Sequence, residues 1–254
     1  MSDANLFDVR DKVALVTGGR RGLGLAIAEG LARAGARVAV AASTKNPGEL
    51  SARMKSTKAE WDYFAVNLAD RRQRQQLVPD VAKCFGRLDV LVNCAGIQHR
   101  QPAIEFDLAK WDEIISLMLT AVFELSQQAA RVMDKQGGGK IINIASVASF
   151  QGGWTIPAYA AAKHGVVGLT RALANEWAAK SINVNAIAPG YFDTDMCSAI
   201  VNDPVREPKI RERISANRWG KPDDLVGPLL FLASDASRYV HGHVLVVDGG
   251  WMGR

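Results

Sequence analysis

Cysteine is scarce: Cys84, Cys94 and Cys197 are the only three in 254 residues. They are odd in number, widely spaced and without a CxxC pair, which argues against a disulfide framework or a structural zinc site. Three reduced thiols and no bound metal are the expectation. Long apolar runs are also missing, since none approaches the roughly 18 residues that a membrane span needs. The opening stretch MSDANLFDVRDK has no basic region leading into an apolar one, so no secretory signal is read there and a soluble cytoplasmic protein is expected. No Pro/Ser-rich linker, internal repeat or low-complexity tract divides the chain, which favours one unit over residues 1–254. The net charge of +5 comes from 31 basic against 26 acidic residues. Because the two signs are mixed along the chain and not gathered into a stripe, they argue against a nucleic-acid partner. A mild bias toward anionic ligands is what remains.

The chain does contain apolar residues in quantity, 48% of the total, enough for a substantial core. They fall into seven short β-rich runs, KVALVT, RVAVAA, YFAVNL, LDVLVNCAG, KIINIAS, INVNAIAP and HVLVVDGG, separated by helical patterns. The helices expected include residues 22–34, a long one near 108–135, 158–180 and 223–233. Seven strands alternating with helices predict an α/β fold with a doubly wound, seven-stranded parallel sheet covered on both faces. One stretch, Tyr191 to Arg218, is polar and charged with two prolines, and reads as a lid or insertion.

TGGRRGLG, residues Thr17 to Gly24, follows the first apolar run and opens the first helical pattern. Gly18, Gly22 and Gly24 therefore lie at a strand-to-helix turn inside a βαβ unit. There a helix N-terminus offers free N–H donors to a pyrophosphate, and absent side chains allow close approach. A dinucleotide is the ligand this setting suits. At the end of the second strand, VAVAASTKN carries Ala42 and Ser43 where a carboxylate would bind the ribose 2′-hydroxyl and repel a 2′-phosphate. With no acid there, and Arg20 and Arg21 in the neighbouring loop beside Thr44 and Lys45, NADP(H) is the expected cofactor. The alternative is that the arginines are solvated turn residues and the pocket takes NAD(H) as well.

In YAAAKHG, Tyr159 and Lys163 are four apart and share a helix face. Ser146 ends the KIINIAS strand, at the edge where doubly wound sheets place ligands. These residues, with TGGRRGLG, NCAG, the thirteen-residue spacing from Ser146 to Tyr159, NAIAPG and the terminal VVDGGW, resemble the short-chain dehydrogenase/reductase family. The resemblance implies a single Rossmann-type domain, a homotetramer formed through two long helices, and catalysis by Ser146, Tyr159 and Lys163. In the family the lysine binds the nicotinamide ribose and the serine holds the substrate oxygen. The tyrosine passes a proton to or from that oxygen, and a cation such as Lys163 beside it favours the phenolate. The resemblance also implies cofactor contacts from the turn including Leu23, from Ser43, from Asn67 and Leu68 beside adenine, and from Asn93, Ala95 and Gly96. Pro189, Gly190 and Thr194 correspond to the segment against the nicotinamide carboxamide.

One position departs from the family. SLMLTAVF places Met118 where an asparagine commonly supports a water-linked proton relay, and a thioether cannot replace it. The relay is then rerouted, or the protein binds cofactor with little turnover. Within the family the chain is similar to sugar-acid dehydrogenases of the gluconate and 2-dehydro-3-deoxy-D-gluconate kind, which implies a small polyhydroxylated carboxylate as substrate; a reductase of another carbonyl, such as a 3-oxoacyl thioester, is the competing reading. Candidate substrate residues are His99 and Arg100 after NCAGIQ, Gln151 and Trp154 between serine and tyrosine, and Arg218 at the end of the lid. Arg100 ranks first because a guanidinium grips a carboxylate bidentately, unless it is spent on a surface ion pair.

Overall fold

A computed structural model describes residues 6–254. Residues 1–5, which begin both the expected 1–254 unit and the stretch read for a targeting signal, lie outside the described residues. Seven parallel strands form one sheet in the order β3-β2-β1-β4-β5-β6-β7. They are β1 Val13–Thr17, β2 Arg37–Ala42, β3 Trp61–Ala65, β4 Val90–Asn93, β5 Gly139–Ile144, β6 Ile182–Pro189 and β7 Val244–Val247. The central strands are buried along their length, while the two edge strands β3 and β7 are only partly covered. That is why the central runs read as continuous apolar segments.

The helices are α1 Gly22–Arg33, α2 Glu49–Thr57, α3 Arg71–Phe85, α4 Leu108–Ile115, α5 Ala121–Gln136, α6 Pro157–Trp177, α7 Ser198–Val201, α8 Arg206–Arg213 and α9 Val226–Ala233. Alternation along each strand divides the core into two layers. Ala14, Val16, Val38 and Val40 pack with Leu25, Leu31 and Leu229 of α1 and α9. Val13, Leu15, Ala39 and Leu91 pack on the other face with Leu77, Val81, Leu125 and Met133 of α3 and α5. Each fully buried Val or Leu in these layers stabilises the fold by roughly 1.5–3 kcal/mol.

Three expectations shift. The third strand runs from Trp61 to Ala65, so Asn67 and Leu68 lie past its end, in the turn that Asp70 closes by accepting from the N–H groups of Arg72 and Gln73 to start α3. The long helix near 108–135 is two helices joined by a π-helical turn, Ser116–Thr120. The last expected helix begins as a tight 3-10 turn, Pro222–Leu225, before α9. Between β6 and that turn lies the 191–218 stretch, which carries α7 and α8 and is anchored by pairing of Phe192 with Gly220. No helix of the described residues is long and apolar enough to cross a membrane.

Candidate active site

The order 3-2-1-4 reverses direction between β1 and β4, and the crevice outside the carboxyl ends of these strands is where such sheets accept ligands. Thr17, the last residue of β1, ties the two strand ends together. Its hydroxyl accepts from the N–H groups of Cys94 (3.0 Å) and Ala95 (3.2 Å) and donates to the Val92 carbonyl (3.3 Å). The next residue, Gly18, has φ +69°, and a Cβ there would sit 2.7 Å from the Ala95 Cα. A Cβ on Gly24 would lie 2.4 Å from the Gly18 carbonyl oxygen. Neither position tolerates a side chain, so the turn is a bare backbone cradle. Arg21 precedes α1 without a capping side-chain bond, and no acidic residue sits in the first helical turn. The leading N–H groups of α1 are thus left for an anion, which fits a pyrophosphate.

The two arginines of the turn part company. The Arg20 guanidinium reaches over the loop after β2, within 3.3 Å of where a Gly48 Cβ would stand. Arg21 turns the other way and pairs with Asp195 at 3.6 Å, both largely exposed. Ser43, Thr44 and Lys45 are exposed beside Arg20, and the Tyr63 hydroxyl holds the Thr44 carbonyl at 2.7 Å. Leu23 packs against the core beneath the turn, and Thr194 faces Gly22 from the 191–218 stretch, 3.8 Å from a Cβ placed there. Asn93 behaves differently from its neighbours. Its side chain is buried within the sheet, donating to Asn143 (2.9 Å) and Ser126 (3.2 Å), and so braces β4 against β5 and α5. Asn67 is exposed, with its side-chain oxygen accepting from the Ala69 N–H, whereas Leu68 is buried.

Ser146, two residues past β5, opens a 3-10 turn and accepts from the Ala148 N–H at 3.1 Å. It lies close enough to Tyr159 on α6 to act on that phenol. Burial raises the Tyr159 pKa, and Ser146 and the nearby Arg100 charge act against it. Lys163, one turn further along α6, is buried, donates to the Ile144 carbonyl and lies 5.7 Å from the Tyr159 ring centre. Burial pushes its pKa down to about 8. It therefore sits against the ring and the strand end, not at the phenol oxygen, and Arg100 is the cation that offsets burial at Tyr159. Ser149 is a residue that sequence reading passed over. Its hydroxyl accepts from the Ser146 N–H (3.2 Å) and donates to the Lys163 carbonyl (2.8 Å), locking the serine turn to α6. The signal was present in SVAS, a capping-box spacing.

With a serine, tyrosine and lysine brought together beside a bare glycine turn, the comparison with known proteins is decisive: residues 12–204 match the short chain dehydrogenase family. The chain belongs to that family. It is 47% identical over 251 residues to 2-dehydro-3-deoxy-D-gluconate 5-dehydrogenase of Dickeya dadantii, covering 98% of this chain and 99% of that one. It is 40% identical over 249 residues to 5-keto-D-gluconate 5-reductase of Escherichia coli, covering 98% of each. A crystal structure of a gluconate 5-dehydrogenase from Burkholderia cenocepacia in complex with NADP and tartrate superposes with a TM-score of 0.94 at 38% identity, covering 98% of both chains.

For a short chain dehydrogenase, the surroundings of the tyrosine are unusual on one side. Met118 is buried in the π-helical turn and packs among Ala158, Ala162, Ile97 and Tyr159. Its methyl lies 3.2 Å from a Cβ placed on Gly96, so apolar atoms fill the space between the NCAG turn and α6. Cys94, in that same turn, has its thiol pushed up to about 11 by burial, with the Lys163 charge opposing.

The five substrate candidates separate in the same way. Arg100 is exposed, makes no ion pair among the described residues, and acts electrostatically on Tyr159, Tyr191 and Cys197. His99 shares a hydrogen bond with Gln101 (3.1 Å) and meets Phe106 edge-on. Gln151 accepts from the Trp251 indole at 3.0 Å, and Trp154 is 88% exposed. Arg218 is held by Asp224 at 2.6 Å and donates to the Trp219 carbonyl. These bonds tie it to the turn before α9. Tyr191, which sequence reading took only as the start of the lid, packs on Trp251 (4.6 Å) and Trp219 (5.5 Å) and shares the neighbourhood of Arg100 and Cys197.

Proposed function

We propose that this chain is an NADP(H)-preferring oxidoreductase that interconverts a secondary alcohol and a ketone on a sugar acid: gluconate, 2-dehydro-3-deoxy-D-gluconate or a uronate-derived relative. The observation that carries the reading is Ser146 beside Tyr159 with Lys163 buried against the tyrosine ring, at the strand ends that also present the bare glycine turn. The sugar-acid assignment draws on the relatives named above and on Arg100, a cation near the tyrosine without an ion-pair partner among the described residues.

In this reading the backbone of Gly18, Gly22, Leu23 and Gly24 holds the pyrophosphate, and Arg20 binds the 2′-phosphate. Asn67 and Leu68 flank adenine, while Ala95 and Gly96 line the ribose side. Pro189, Gly190 and Thr194 meet the carboxamide, and Lys163 and Tyr159 meet the nicotinamide ribose. When bound, the cofactor supplies or accepts a hydride at C4 of its nicotinamide ring. Ser146 orients the substrate oxygen, and Tyr159 gives that oxygen a proton on reduction or takes one on oxidation. The Lys163 ammonium, already short of solvent, holds the ribose hydroxyls and stabilises negative charge on the tyrosine oxygen through them. Residues 1–254 work as one unit, residues 191–218 serve as its lid, and the protein is a cytoplasmic homotetramer.

Steady-state turnover of gluconate, 5-ketogluconate, deoxy-keto-gluconates and unsaturated uronate products, with NADP(H) and NAD(H) side by side, tests the proposal. One acid should turn over with a preference for NADP(H). Tyr159→Phe should lower kcat by about 10²–10⁴-fold while cofactor binding persists. Activity surviving that change overturns the mechanism. A second reading, a cofactor-binding protein with little turnover, rests on the apolar filling around Met118; retained cofactor binding with no turnover of any acid decides for it.

A further inference from the structure

At the amino ends of the strands, opposite the candidate active site, lies a cavity of about 430 Å³, within the size range of small-molecule sites. It gathers residues from the starts of four strands and the approach to a fifth: Lys12 before β1, Arg87 and Asp89 before β4, Lys140 in β5, Asn183 in β6 and His241 before β7. Arg238 and Asp235 complete its charged lining. Four fixed cations thus face two carboxylates. Asp89 is taken by Arg87 at 2.6 Å and Asp235 by Lys12 at 3.5 Å. Lys140 and Arg238 have no carboxylate within ion-pair distance among the described residues.

Lys140 is the unusual member. It is 8% exposed, yet the hydrogen bond its ammonium makes is to a neutral group, the Asn183 side-chain oxygen at 3.0 Å. A buried charge facing only a neutral acceptor is costly, and an ammonium has three donors to place. Burial and the Lys12 charge push its pKa down to about 8, with Asp235 opposing. The same asparagine is held at the strand end: its oxygen accepts from Lys140, and its nitrogen lies within hydrogen-bond distance of the Ser237, Arg238 and Val240 carbonyls, nearest Val240 at 2.9 Å. The cavity therefore presents unspent donors on Lys140 and, on Arg238, a charge with no carboxylate partner among the described residues.

We propose that this cavity binds a phosphate-sized oxyanion on Lys140 and Arg238, either free phosphate or the phosphate group of a small phosphorylated metabolite. The site is separate from the dinucleotide crevice and does not depend on the identity of the sugar acid. An oxyanion there would supply the acceptors that Lys140 lacks, and charge-assisted hydrogen bonds of this kind are the strong ones.

Isothermal titration of the NADP-saturated protein tests it, because the cofactor then fills its own phosphate-binding turn. Inorganic phosphate should bind at one site per chain and raise Tm as its concentration rises. Lys140→Met should weaken binding by about tenfold or more, and Arg238→Gln by about three- to tenfold. Glycerol 2-phosphate binding more tightly than phosphate assigns the site to a phosphorylated metabolite; equal or weaker binding assigns it to free phosphate. Absence of phosphate binding to the NADP-saturated protein overturns the proposal. So does an unchanged affinity in Lys140→Met, or in Arg238→Gln should the methionine variant fail to fold.

Discussion

Arg100 shows how much a single unpaired charge decides. Arg218 is paired with Asp224 and Arg211 with Glu207. Arg100 has no carboxylate partner among the described residues, and the groups that feel its charge are Tyr159, Tyr191 and Cys197, all at the mouth of the crevice. In the function proposed above it holds the substrate carboxylate and eases ionisation of the tyrosine at once. Arg100→Ala should raise KM for the sugar acid by about 10–100-fold and leave KM for NADP unchanged. Because the arginine lowers a pKa that burial raises, its removal should also move the tyrosine-dependent limb of the kcat/KM profile to higher pH. Profiles measured from pH 6 to 10 check both effects, and an unshifted limb with a normal KM would remove Arg100 from the site. The neighbouring candidates lack this freedom: His99 is spent on Gln101, and Gln151 on Trp251.

At the scale of elements, the β1–α1 turn separates two arginines that are adjacent in sequence. Arg20 lies over the loop that follows β2, and Arg21 reaches to Asp195 in the 191–218 stretch. Arg20→Ala should therefore reduce the preference for NADP over NAD by about tenfold or more, while Arg21→Ala should leave it within about twofold. Paired kcat/KM values for the two cofactors measure this, and equal losses in both variants would contradict the geometry. Sequence alone could not split the pair, because side-chain direction at a positive-φ turn follows from the fold. The seven strands, by contrast, were readable from their apolar runs, since burial on both faces leaves no polar alternation to blur them. The break at Ser116–Thr120 was not, because SLMLT keeps helical periodicity and only the hydrogen-bond register changes. Asn93 misled for a related reason. Its motif lies in the cofactor crevice, but its side chain points along the sheet to Asn143. Ser149 and Tyr191 act through contacts far apart in sequence, to Lys163 and to Trp251, which no local pattern encodes.

Over the whole molecule, the two ends of the sheet carry different polar chemistry. The carboxyl ends of the strands carry the glycine turn and the tyrosine, the amino ends carry the basic cavity, and the flank around α4, α5 and the start of α6 carries exposed apolar side chains. Ile104 is 94% exposed, Leu108 76%, Trp154 88%, and Phe123 and Phe150 each 40%. Exposed apolar residues on these elements suit an interaction surface. In the homotetramer proposed above, this flank would be buried between copies of the chain. Light scattering coupled to size exclusion should then give four times the 27.4 kDa chain mass. Phe123→Asp, which puts an unpaired carboxylate into the first turn of α5, should shift the mass to smaller species because a buried charge without a partner is expensive. The Ser146, Tyr159 and Lys163 cluster lies on the crevice side, so the dissociated variant should keep its affinity for NADP even where Tm falls. A wild-type protein that elutes only as a monomer refutes the assembly and leaves the apolar flank to another partner.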